Sequence, residues 1–234
     1  MKKRADVRSK LTTPVVEDFA HAEGTPIVID RAAHTAAILD DTDTVIELGV
    51  NGGWQDLLAS LNTAKVAGVN VPTWAALVGG ISAYSFSATV MNEVWLSLHV
   101  PHDYKVGTMI YPHIHWAPAT NAAGTVRWGI EYSYARGYGV DAFPATSTLY
   151  IEQASNQVAN SHHIAEPTEG NGLNIATLET DGLLLMRVFR DAAHANDTLG
   201  AATFGLFADL HYQSDGLLTN ERNRTFTKRR GTEL

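Results

Sequence analysis

The sequence predicts an all-β protein, a jelly-roll-like two-sheet sandwich with an extended N-terminal arm and one short helix. Three observations predict this fold. From residue 81 onward, short runs of aromatic and β-branched residues alternate with polar ones, the period of a strand with one buried face. Clusters of Gly, Pro, Asn and Asp separate these runs. Helical spacing is confined to one early segment. About eight strands punctuated in this way fit two packed sheets, with a jelly roll the first choice and an immunoglobulin-like sandwich the second.

Taken in order, residues 1–25 show little periodicity and read as an extended arm. PIVID (26–30) and AAILDDTDTVIELGV (36–50) read as short strands around an Asp40–Asp41–Thr42–Asp43 turn. That turn lacks the glycine and distal glutamate of an EF-hand loop. GGWQDLLASLNTAKVAG (52–68) reads as the helix: Trp54, Leu57, Leu58 and Leu61 recur at helical spacing, Asn51 can cap the start and Gly68 can end it. VPTWAALVGG (71–80) follows as an apolar connector. Residues 1–80 therefore form an arm with a helix and connector, and residues 81–234 form the sandwich with a basic tail.

Within the sandwich, 92–100 sets Val94, Leu96, Leu98 and Val100 against Trp95, Ser97 and His99. Residues 125–134 set Val126, Trp128, Ile130, Tyr132 and Tyr134 against Gly129, Glu131 and Ser133. STLYIEQ (147–153) is another strand, and 154–180 reads as mostly loop. GLLLMRVFRDA (182–192) and ATFGLFADLHYQ (202–213) read as a hairpin-like pair around the turn 193–200.

Charge is unevenly spread. Residues 1–10 hold five of the 17 basic residues (Lys2, Lys3, Arg4, Arg8, Lys10), and 222–230 hold five more (Arg222, Arg224, Lys228, Arg229, Arg230). Between them seven basic residues face 23 acidic ones. An acidic body with two basic ends suits docking on an acidic neighbour such as another copy, and argues against nucleic acid, whose phosphates the body would repel. The absence of cysteine excludes disulfides, zinc–thiolate sites and thiol nucleophiles. No apolar run reaches the length of a membrane-spanning helix, and the start MKKRADVRSK has no apolar stretch behind it, so neither a membrane partner nor a secretory signal is expected.

One stretch carries a candidate metal site. In GTMIYPHIHW (107–116), His113 and His115 stand two residues apart on a strand and so share a face. Two imidazoles supply two ligands of a divalent metal, and Glu131 or His211, or His99, on neighbouring strands could supply a third. Gly107, five residues, then His-x-His resembles the first part of the cupin metal signature. The glutamate that signature needs next is replaced by Ala119 and Thr120, and its second motif has no match. The structural alternative makes the pair hydrogen-bonded polar residues beside Tyr111, with Ile110, Ile114 and Trp116 filling the core behind them. That alternative is the preferred reading, with no cofactor and a divalent metal second.

Asp191, His194, Asn196 and Asp197 crowd the turn 190–200, where Asp and Asn are favoured by turn geometry alone, so no catalytic residue is assigned there. The chain has no G-x-S-x-G elbow, Walker loop, G-x-G-x-x-G or H-E-x-x-H. Glu131 and Glu152 would need a partner across a cleft to act as glycosidase carboxylates. Surface aromatics such as Trp95 and Tyr134 would suit a sugar-binding module better than a hydrolase.

Four stretches in order, HVPHDYKVGTMIYPHIHWAP (99–118), VRWGIEYSYA (126–135), LLLMRVFRDAAHANDTLG (183–200) and FADLHYQSDGLLTNER (207–222), resemble one group of tailed-bacteriophage virion structural proteins. The resemblance implies a non-enzymatic virion component. This would be a capsid decoration or cement protein, a head fibre or a tail-associated protein, with jelly-roll domains assembling as homotrimers or larger rings beside the major capsid or tail proteins. The basic ends, Lys2, Lys3, Arg4, Arg8 and Lys10 with Lys228, Arg229 and Arg230, would then be interface residues. A tail- or fibre-associated glycan-binding protein and a cupin-like metal-dependent enzyme are the alternatives.

Overall fold

A computed structural model describes residues 27–30, 35–39, 45–49, 53–214, 216 and 222 of the 234-residue chain. The chain divides into two compact units, 1–52 and 53–234. In the first, β1 (Ile27–Asp30), β2 (Thr35–Leu39) and β3 (Val45–Gly49) form an antiparallel three-stranded sheet in sequence order. These are the strands expected there. The proposed arm, the Asp40–Asp43 turn and the basic interface residues Lys2, Lys3, Arg4, Arg8, Lys10, Lys228, Arg229 and Arg230 lie outside the described residues.

The second unit is a sandwich of two antiparallel sheets. Its strands are β4 (Trp54–Ser60), β5 (Thr73–Val78), β6 (Ile81–Phe86), β7 (Asn92–His99), β8 (Tyr111–Pro118), β9 (Thr125–Ala135) and β10 (Ser147–Ala154). They are followed by β11 (His163–Ala165), β12 (Leu183–Arg190) and β13 (Thr203–Gln213). One sheet has the order β10-β9-β12-β7. The other has the order β11-β8-β13-β6-β5, with β4 also paired to β13. The chain crosses between the sheets at nearly every connection from β6 to β13, which makes these eight strands a jelly roll. The jelly roll itself begins at Ile81, but the compact unit begins at Gly53, because β4 and β5 extend the six-stranded sheet.

Alternation explains the layers. Val94, Trp128, Ile130, Ile151, Leu184, Met186 and Val188 of the four-stranded sheet point inward, opposite Phe86, Ile114, Trp116, Ala208 and Leu210 of the other. Phe86 meets Trp128 edge-on across the gap, ring centroids 5.1 Å apart, a favoured aromatic geometry. Burying each such side chain contributes about 1.5–3 kcal/mol.

Two expectations are corrected. Residues 54–60 are a strand, and only a single 3-10 turn, Leu61–Thr63, remains of the expected helix. The apolar residues fit either period, and the neighbour decides. β6 pairs β13 only over Thr203–Gly205, leaving Phe207–Gln213 free to bond Trp54–Ser60. Leu57 and Ala59 then pack on the core while Trp54 and Leu58 face out. Likewise, β12 and β13 are not a hairpin: they lie in different sheets, and residues 191–202 carry the chain between them. The crossing is pinned by Arg190, fully buried, whose guanidinium donates to both oxygens of Asp197 (2.9 and 2.7 Å) and to the carbonyls of Leu199 and Ala201. Asp197 Oδ2 also accepts the Arg127 backbone N–H at 3.1 Å. The acidic turn cluster is thus accounted for by structure.

Candidate functional site

Because Ile114 and Trp116 are core residues, His113 and His115 project from the outer face of the six-stranded sheet. The antiparallel register fixes their company. Asp209 of β13 stands opposite His113, and His211 opposite Tyr111. On the far side of β13, Asp56 of β4 stands opposite His211. Residues directly opposite share a face, so three strands bring imidazoles and carboxylates to one spot.

The side chains converge. His113 Nε2 lies 2.6 Å from Asp209 Oδ1, and His115 Nε2 lies 3.4 Å from the same oxygen. His211 packs edge-on against His113, ring centroids 4.0 Å apart, and its Nε2 lies 2.7 Å from Asp56 Oδ1. His113 and Asp209 are almost fully buried, 2% and 4% exposed. Despite the short separations, neither Asp209 Oδ1 nor His115 Nε2 has a hydrogen bond in line, and both atoms are buried. His115 Nδ1 is 2.7 Å from His162 Nε2, with the two rings stacked.

One ring nitrogen of His115 faces the Asp209 carboxylate and the other faces His162. Burial, which outweighs the opposing pull of Asp209, lowers the His115 pKa below the ordinary imidazole value and favours its neutral form. Two groups of three ligands have donor atoms mutually within 4.8 Å: His113, His115 and Asp209, and Asp56, His113 and His211.

Aromatic groups frame the cluster. Trp54, 49% exposed, meets Tyr111 edge-on at 5.7 Å and lies 6.4 Å from His211, and Phe207 lies edge-on to His115. The Tyr111 hydroxyl donates to Glu169 at 2.9 Å.

Of the residues expected to join the histidine pair, His211 does and Glu131 does not. Glu131 is on the four-stranded sheet, where it accepts from the Thr146 hydroxyl and from Arg187 Nε, both at 2.6 Å. His99, a further expected partner, lies with His102 against Asp181, at 3.1 and 2.7 Å. Asp209, Asp56 and His162 were not expected. Asp209 carried a readable signal, since Asp209-Leu210-His211 is the same alternate spacing as His113-Ile114-His115. The surface aromatics also differ from expectation: Tyr134 is buried and Trp95 is half-buried, whereas Trp54 and Tyr111 flank the cluster.

No family model matches the chain, and no curated protein matches it. Among solved structures it is similar to a carbohydrate-binding module of the β-sandwich superfamily, at 13% identity over 81% of this chain and 74% of that one. The TM-score is 0.25, too low for the likeness to bear on function.

Proposed function

We propose that the chain is a non-catalytic structural component of a bacteriophage virion, a capsid-associated cement or decoration protein that assembles with copies of itself. The observation that carries the reading is an apolar sheet margin. Among the described residues β5 is an edge strand, paired only to β6, and this hairpin exposes Trp74, Val78 and Ile81, with Trp74 53% and Ile81 65% accessible. Val69 and Val71 are exposed just before it. An unpaired strand edge lined with large apolar side chains is a surface for association, and a second copy of the same sandwich is the occupant that suits it. The resemblance to virion proteins supports the same assignment, because its four stretches include β8, nearly all of β9, β12 and most of β13.

The test is sedimentation of the full chain beside a Trp74→Glu, Val78→Lys double variant, together with the occupancy of each on purified particles. The wild type is expected to be a trimer or larger ring that decorates particles, and the variant a folded monomer that does not. A wild-type monomer without particle association would sink the reading.

The glycan-binding alternative is favoured by one observation, the exposed Trp54 against Tyr111 beside polar His211 and Asp56. An aromatic face with polar neighbours suits a sugar ring. Retained glycan binding in Trp54→Ala would remove this alternative.

A further inference from the structure

We propose that the outer face of the six-stranded sheet binds one divalent transition-metal ion through His113 Nε2, His115 Nε2 and Asp209 Oδ1. His162 orients His115 through its other ring nitrogen. The inference is independent of the virion assignment and rests on the cluster alone.

Three features carry it. The donor set, two neutral-capable imidazoles and a carboxylate, is that of zinc and related first-row ions and not of calcium or magnesium, which take oxygen. The donor atoms lie mutually within 4.8 Å. Ligands about 2.0–2.2 Å from a tetrahedral ion stand roughly 3.3–3.5 Å apart. The His115–Asp209 separation of 3.4 Å matches that, and the His113–Asp209 separation of 2.6 Å has to widen by a side-chain rotation.

The second feature is the buried, unbonded atoms. Asp209 Oδ1 and His115 Nε2 are buried 3.4 Å apart with no hydrogen bond made by either, an arrangement that costs stability, and a cation between them satisfies both. The third is the His115–His162 contact, since a metal-bound imidazole ordinarily donates its second N–H to a neighbouring acceptor, and His162 Nε2 lies 2.7 Å from His115 Nδ1.

His113, His115 and Asp209 come from two adjacent strands of one sheet, so the backbone ladder holds them before any ion arrives. Three protein ligands leave a fourth position for another donor, and His211, held by Asp56, packs against His113.

The experiment is titration of chelator-treated full-length protein with Co²⁺, read by visible absorption, and with Zn²⁺, read by calorimetry and by the shift in Tm. One equivalent is expected, with the strong visible bands of a four-coordinate site and a Tm that rises with Zn²⁺ concentration. Asp209→Asn and His115→Ala should each weaken binding by about 100-fold or more, and His162→Ala by about 10-fold. His194→Ala, in the distant turn, should bind as wild type. Circular dichroism on each variant separates lost ligation from lost folding, and the nearly isosteric Asp209→Asn is the decisive one. Absence of a saturable single equivalent, or uptake unchanged in folded Asp209→Asn, overturns the proposal.

Discussion

The two outer faces of this sandwich use charge in opposite ways. On the four-stranded sheet, Arg187 bridges Glu93 and Glu131 and lies over the Phe189 ring at 4.4 Å. Arg127 joins Glu152 and Asp191 and lies over Tyr150 at 3.9 Å. Each of these acids meets a guanidinium, a permanent cation with several fixed donors. On the six-stranded sheet, the acids Asp56 and Asp209 meet imidazoles, which are cations only when protonated. The first face is closed on itself. The second pairs its acids with groups whose charge depends on a proton, and it leaves Asp209 Oδ1 and His115 Nε2 without hydrogen bonds.

The largest expected effect belongs to the guanidinium-based system at its most buried point. Arg190 and Asp197 have no exposed side-chain surface, and Arg190 spans to two carbonyls of the inter-sheet crossing. Asp197→Ala leaves a buried guanidinium without its counter-charge and should cost about 3–5 kcal/mol. Denaturant unfolding of wild type and variant measures it. A loss below about 1 kcal/mol would mean that the crossing can open to water and that the pair is not what fixes it.

The second prediction asks whether the six-stranded face behaves differently. In metal-free protein near neutral pH, Asp209 is a buried carboxylate whose Oδ1 lacks an in-line donor. Asp209→Asn keeps the shape and removes the charge, so metal-free stability should hold or rise by about 1 kcal/mol, while stabilisation by Zn²⁺ disappears. The same unfolding measurement, made with and without Zn²⁺, decides it. A loss of about 2 kcal/mol or more without metal would make Asp209 and His113 a structural ion pair like those of the other sheet, and the contrast between the faces would fail.

Much of this difference was legible in the chain, and the part that was not has a clear cause. Period-two alternation set Val94 and Leu98 inward and Trp95 and Ser97 outward, and it put His113 and His115 on one face with Ile114 and Trp116 behind them. Alternation is a property of neighbours in sequence. Register is not, and it was register that brought Asp209 opposite His113 across 96 positions of chain. Glu131 was as plausible a partner by face and composition, but its strand belongs to the other sheet. The misread segment at 54–60 has the same origin. Leu57, Leu58 and Leu61 satisfy a helical period, and only the free length of β13 shows why the strand wins. Sheet pairing outweighed local propensity there, as it commonly does for short apolar segments.

The smallest effect tests the closed face through acid. The Thr146 hydroxyl first, and Arg187 next, hold the Glu131 carboxyl below the ordinary carboxylate pKa, against the opposing push of burial. A carboxyl depressed in the folded state adds stability that is fully present above its unfolded value and lost as pH falls through the folded one. Glu131→Gln should therefore cost about 0.2–1 kcal/mol at pH 7, the range of partly exposed pairs. The gap between wild type and variant should close as pH drops below the usual carboxylate range, because the protonated wild type then resembles the variant. Added salt should narrow the gap at pH 7 as well, since both partners reach solvent. Urea unfolding of both proteins from pH 7 to pH 3 gives the curve. A gap that stays constant with pH would assign the effect of Glu131 to packing and hydrogen-bond shape, and the four-stranded face would then owe little to its charges.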